Sequence, residues 1–143
     1  MKPSCGSPLS TCIMKKNGWM LDYFVLKDTP SAQLLPTGIG GVLYPPHAVP
    51  DYAFDKDAIC ETSLFADDLW LKVNTLHNGY KTVLVKNYTG YSQIEGTNEN
   101  ALWRQNVTRG NNDTAMANIL AWYDAHIGSA QELLKTMRKD RAV

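Results

Sequence analysis

"FADDLWLK", residues 65–72, sets two adjacent carboxylates, Asp67 and Asp68, inside an apolar run that continues through Trp70 and Leu71. Its periodicity decides how the neighbouring segments are placed. Leu64, Leu69, Val73 and Leu76, with Phe65 and Trp70 beside them, recur near helical spacing and predict a helix over 62–78. Thr62 or Ser63 can cap its start, acids in the first turns complement the helix dipole, and Asn78-Gly79 ends it. On that helix Asp67 and Asp68 point about 100° apart, so both cannot face one surface. Two readings stand: a capped, solvated first turn, or a carboxylate at the mouth of a cleft that takes a proton from a substrate hydroxyl.

Working outward, "KTVLVK", residues 81–86, is rich in aliphatic and β-branched side chains and predicts a strand. "GVLYP", residues 41–45, predicts a short buried strand stopped by Pro45-Pro46. Strand, helix and strand together have the length of a right-handed crossover between parallel strands. Asn17-Gly18 suits positive φ at both turn positions, so a hairpin of strands near 10–15 and 19–26 is expected. Residues 47–58 read as a loop with a short helical turn. Near the other end, Asp113 or Asn112 caps a helix over 114–126 with Met116, Ile119, Leu120 and Tyr123 on one face. Gly128 punctuates, and Ser129 opens a last helix to about 139. The order of elements predicts an α/β or α+β fold, a small mixed sheet with flanking helices, as a single domain over 1–143.

Composition narrows the classes of function. The 143 residues are 44% hydrophobic and 20% charged, the balance of a chain that buries a core. Lysine and arginine balance the acids to a formal charge of zero, which gives no global attraction to nucleic acid or to an anionic membrane. No stretch approaches the ~20 apolar residues needed to span a bilayer. The N-terminal "MKPSCGSPLSTCIMKK" has no apolar core of signal-peptide length. Cys5, Cys12 and Cys60 are odd in number and lack metal-ligand spacing, which fits a reduced, cytoplasmic setting. In such a setting the N-x-T triplets at Asn87, Asn106 and Asn112 read as chance. His47, His77 and His126 share no motif spacing and are assigned neither metal nor catalysis.

Two further stretches could carry chemistry. "PTGIGGVLYPP" combines Thr37, Gly38, Gly40 and Gly41 ahead of a predicted strand. It lacks the Lys-Ser/Thr of a P-loop, and it does not open a helix as a dinucleotide fingerprint would. It reads either as a plain loop or as a ligand wall whose glycines allow close approach. "IEGTNENALWRQNVTRGNND" clusters amides with Trp103, Arg104 and Arg109, groups that suit sugar hydroxyls and phosphates, or an ordinary polar loop.

Taken in order, "LPTGIGGVLYPP", "ADDLWLK", a helix ending in Asn-Gly followed by a strand, "GTNENALWRQN" and "GNND" resemble the carboxy-terminal half of a bacterial GT-A-type glycosyltransferase family of surface polysaccharide synthesis, over about residues 10–125. The resemblance implies that Asp68 is the base that deprotonates an acceptor sugar hydroxyl, with Asp67 positioning the site or holding the helix start. It implies a substrate-binding set of Thr37, Gly38, Gly40, Gly41, Trp70, Arg104, Asn112 and Asp113.

Such enzymes bind the nucleotide sugar with an amino-terminal βαβ half and a D-x-D metal motif. Neither is expected here, since the only D-x-D string is "DKD" at 55–57. The expectation is therefore a glycosyltransferase-like domain incomplete for catalysis alone. It holds no cofactor itself, and a divalent metal, Mg or Mn, belongs to the completed enzyme. Its partners are a sugar acceptor or nucleotide sugar. The alternative is a non-catalytic carbohydrate-binding or homo-oligomeric assembly module, a homodimer covering an otherwise bare sheet edge.

Overall fold

The computed structural model describes residues 29–38, 41–84, 106, 109–128 and 130–139. Four α-helices organise these residues: α1 (Lys56–Thr62), α2 (Asp67–His77), α3 (Asn111–His126) and α4 (Ala130–Lys139). A 3-10 turn, Asp51–Phe54, leads into α1. α2 packs against the 3-10 turn, α1, α3 and α4, so it lies at the centre of the helices.

The predicted small mixed sheet is overturned. Among the described residues there is no sheet: Thr82 and Leu84 are isolated bridge residues, and in the antiparallel bridge to Thr82 the Ser31 N–H donates to the Thr82 carbonyl at 2.7 Å and Thr82 N–H returns the bond at 3.1 Å. Residues 41–45 form no strand: Leu43 is 94% exposed, and Pro45-Pro46 supply no N–H to a ladder. The crossover unit therefore does not exist. A short apolar run bounded by Gly and Pro satisfies a strand template whether or not a ladder partner is present, and here the helices fill the core instead. The expected hairpin over 10–26 lies outside the described residues.

The single helix expected over 62–78 is two helices with a break between them. Asp55 starts the first: its Oδ1 accepts from the N–H groups of Asp57 at 2.9 Å and Ala58 at 3.3 Å. The predicted caps of the later helix act at the end of this one. Thr62 Oγ1 donates back to the Ala58 carbonyl at 2.7 Å, and Ser63 is the C-cap. The turn after it carries Leu64 and Phe65 outward, off the apolar stripe assigned to them. α2 then begins at Asp67 with no side-chain cap and ends at Asn78-Gly79, where Gly79 has φ +87°, a left-handed conformation that glycine adopts without a Cβ clash.

α2 is buried on almost every side, at Leu69, Trp70, Lys72, Val73, Asn74, Thr75 and Leu76. The polar side chains buried on such a helix cannot reach water, and those of Trp70, Lys72, Asn74 and Thr75 are hydrogen-bonded. The Trp70 indole N–H donates to the Ala53 carbonyl at 2.7 Å, and its ring meets Trp122 edge-on at 5.3 Å. Thr75 Oγ1 donates to the Leu71 carbonyl at 2.8 Å. Lys72 Nζ reaches Thr82 Oγ1 at 3.0 Å and the Ser31 carbonyl at 3.5 Å, fastening the bridge onto the helix.

α3 starts three residues earlier than expected, behind Gly110 at φ +71°, so that Asn112 and Asp113 sit in its first turn rather than before it. It packs against both α1 and α2, and its face at Ala115, Ile119 and Tyr123 is buried, with Met116 and Leu120 half-buried alongside. Asp124 caps α4 by accepting from Ala130 N–H at 2.7 Å, and Ala130, Leu133 and Met137 complete the core. Gln33 Nε2 donates to the Met137 carbonyl at 2.9 Å and ties the chain before the glycine loop to α4.

Trp70 is 1% exposed and joins the 3-10 turn, α2 and α3. Trp70→Ala is expected to lower the unfolding free energy by about 3–5 kcal/mol in urea titration, the cost of a large buried aromatic. Trp70→Phe, which keeps most of the ring but leaves the Ala53 carbonyl without its donor, is expected to lose less than half of that.

Candidate functional site

Two consecutive acids at the start of α2 acquire different surroundings because the helix turns about 100° between them. Asp67 is exposed, whereas Asp68 is half-buried against the glycine loop. The Gly38 N–H donates to Asp68 Oδ1 at 3.0 Å across 30 residues of sequence. Gly41 N–H donates back to the Gly38 carbonyl at 3.0 Å, and Gly41 itself holds φ +80°. A side chain at Gly41 would be strained by its backbone conformation, whereas a Cβ at Gly38 would meet Asp68 Oδ1 at an ordinary 3.6 Å. The loop thus needs glycine at 41 for its shape, and at 38 it contributes a backbone donor.

The electrostatics follow from this burial. Loss of water pushes the Asp68 carboxyl above the usual carboxylate range, the Gly38 N–H pulls it part of the way back, and the neighbouring Asp67 charge raises it. The same two carboxylates act on Tyr44: burial raises its phenol, and the charges of Asp68 and then Asp67 raise it further. Tyr44 is thus within electrostatic reach of the acidic pair. It was not singled out from sequence, and its signal was only its place in "GVLYP", next to the loop that Asp68 contacts.

The structure brings together Asp68, Gly38 and Gly41, with Asp67 next to Asp68 in the chain, Thr37 half-buried immediately before Gly38, and Tyr44 near enough for the two carboxylate charges to act on its phenol. Trp70 stands apart: its ring is enclosed in the core and its N–H is spent on Ala53. Asn112 and Asp113 are half-buried in the first turn of α3, and Arg109 just before it is exposed. Gly40 and Arg104 lie outside the described residues. Asn106, which closes the "GTNENALWRQN" stretch but was not singled out as a site residue, comes close to the start of α2, where its Nδ2 donates to the Phe65 carbonyl at 2.7 Å. Among the described residues no three His, Cys, Asp or Glu side chains come together as a metal-holding group. The chemistry available is that of a partly desolvated carboxylate held by one backbone N–H.

Comparison with protein-family models, with curated proteins and with solved structures finds no match. Among the described residues no helix is long and apolar enough to cross a membrane.

Because the folded protein holds the Asp68 proton more tightly than the unfolded chain, this residue adds stability at low pH, and that contribution is lost as pH rises through the folded-state value. Asp68→Asn cannot ionise and keeps an oxygen for the Gly38 N–H. The variant is therefore expected to gain stability relative to the wild type as pH is raised from below the ordinary carboxylate range to neutrality. Paired urea titrations across that range check the sign.

Proposed function

We propose that this chain is a glycosyltransferase-like domain that handles the sugar acceptor in nucleotide-sugar-dependent polysaccharide synthesis. The observation that carries the proposal is the Gly38 N–H to Asp68 Oδ1 bond, which joins the glycine-rich and acidic motifs at one place. The role proposed for Asp68 is general base. Its carboxylate accepts the proton of the acceptor hydroxyl while that oxygen bonds the anomeric carbon and the bond to the nucleoside diphosphate breaks. Gly38 restrains one carboxylate oxygen, leaving the other for the incoming proton. Desolvation makes the carboxylate more basic, which favours this transfer. The Tyr44 phenol, held protonated beside the acids, supplies a donor to a bound sugar oxygen.

The reading assigns donor binding, and the Mg or Mn ion that neutralises a diphosphate, to a nucleotide-binding half in another segment or chain. A carboxylate base accounts for only ~10²–10⁴-fold of a rate, and positioning of the two sugars supplies much of the rest. A cytoplasmic location, where nucleotide sugars would be met, is part of the same proposal.

Calorimetric titration of the chain with oligosaccharide acceptors and with sugar nucleotides tests it. Saturable acceptor binding that weakens in Asp68→Asn is the expected result, and absence of binding to both classes sinks the proposal. In a transfer assay completed by a donor-binding half, Asp68→Asn is expected to lower kcat by ~10²–10⁴. Unchanged turnover would remove Asp68 as the base.

Exposed Leu43, Phe54, Leu64 and Phe65 favour a second reading, an assembly module that covers these side chains with another copy. Light scattering is then expected to show a dimer that Leu43→Ser with Phe65→Ser dissociates, and a monomer at high concentration would rule this out.

A further inference from the structure

Away from Asp68, a chain of hydrogen bonds runs from the surface to the middle of the helices. His77 Nδ1, at the end of α2, lies 3.0 Å from the Tyr52 hydroxyl of the 3-10 turn. That hydroxyl lies 2.9 Å from the Tyr123 hydroxyl of α3, which in turn donates to Asn74 Oδ1 of α2 at 3.0 Å. The direction of each bond follows from its inner end. Asn74 is 0% exposed, and its Nδ2 donates to the Trp70 carbonyl at 2.9 Å. Turning the amide round would set its oxygen against that carbonyl oxygen, so Oδ1 faces Tyr123 and can only accept.

Each phenol has one proton to give. Tyr123 gives its proton to Asn74. The short Tyr52–Tyr123 contact is then donated by Tyr52, whose proton is spent in turn. Tyr52 has nothing left for His77, so the imidazole must donate. We infer that His77 carries its proton on Nδ1, as the Nδ1–H tautomer when neutral, and that the buried Asn74 amide one turn earlier on the same helix imposes this through the two tyrosines. The alternative, with Tyr52 donating to His77, leaves a buried oxygen of the chain without a proton, the costlier arrangement.

The consequence is a latch with a fixed polarity. It joins the 3-10 turn, α2 and α3, and it leaves the lone pair of His77 on Nε2, the atom to which a proton or the donor group of a ligand adds without breaking the chain. His126 provides an internal reference. Its Nδ1 lies 2.9 Å from the Trp122 carbonyl, which can only accept, so this ring also holds its proton on Nδ1. The inference is independent of the role proposed for Asp68.

Long-range proton–nitrogen correlation NMR of the ¹⁵N-labelled chain, at a pH where the imidazoles are neutral, reads the tautomer directly. His77 is assigned by its absence in His77→Gln. The expected result is a protonated Nδ1 and an unprotonated Nε2 at His77, matching His126. An Nε2–H tautomer in the wild type would overturn the inference. Tyr123→Phe frees the Tyr52 proton and is expected to switch His77, but not His126, to Nε2–H, an unchanged His126 signal showing that the fold is retained. A folded Tyr123→Phe protein with Nδ1–H still at His77 would show that Asn74 does not set the polarity.

Discussion

The enclosure of α2 is the constraint on which the rest of the structure depends. Packed by the 3-10 turn, α1, α3 and α4, this helix has almost no face left for water. Every polar group buried on it must then find a partner inside the protein, because an unpaired buried donor or acceptor costs about 1–3 kcal/mol. Those partners join the elements: Trp70 to Ala53 of the 3-10 turn, Lys72 to the Ser31–Thr82 bridge, and Asn74 to Tyr123 of α3. Aromatic contacts reinforce the same seams, with Trp122 edge-on to Trp70 and stacked on His126 at 4.6 Å. Satisfaction of polar groups and burial of apolar ones therefore specify one arrangement together.

The two sites inherit their properties from that helix. Asp68 occupies its first turn, where the rim of the packed region meets the glycine loop, so it is partly desolvated yet still reachable. Asp67, one residue earlier, is turned outward and stays in water. At the other end of α2, His77 stands at the surface while its Nδ1 is governed by an amide in the core. A rigid, enclosed helix suits such placements, since its termini are held in register by everything that packs on its middle.

How much of this was legible in the sequence varies residue by residue. The end of α2 at Asn78-Gly79 could be read because only local backbone preference is involved. The face of α3 at Ile119 and Tyr123 could be read because a repeated 3.6-residue spacing has one explanation. The Asp55 cap was missed because Thr62 and Ser63, also good capping residues, lay nearer the apolar run. The strand expected at 41–45 failed because a strand requires a neighbour, and no property of "GVLYP" states whether one is present. Buried Lys72 gave no signal at all: a lysine on a helix is ordinarily solvated, and only the positions of Thr82 and Ser31 bring it inside.

The same division runs through the candidate site. From the sequence alone came two carboxylates on adjacent helix positions that could not share one environment, and a glycine segment able to approach a neighbour closely. Those are consequences of helix pitch and of a missing Cβ, both local properties. Which acid would be desolvated, that Gly38 would be the group to bond it, and that Tyr44 would join them were decided by tertiary structure. Desolvation and long-range hydrogen bonds depend on which surfaces meet, and that is settled by packing over the whole chain rather than by any stretch of it.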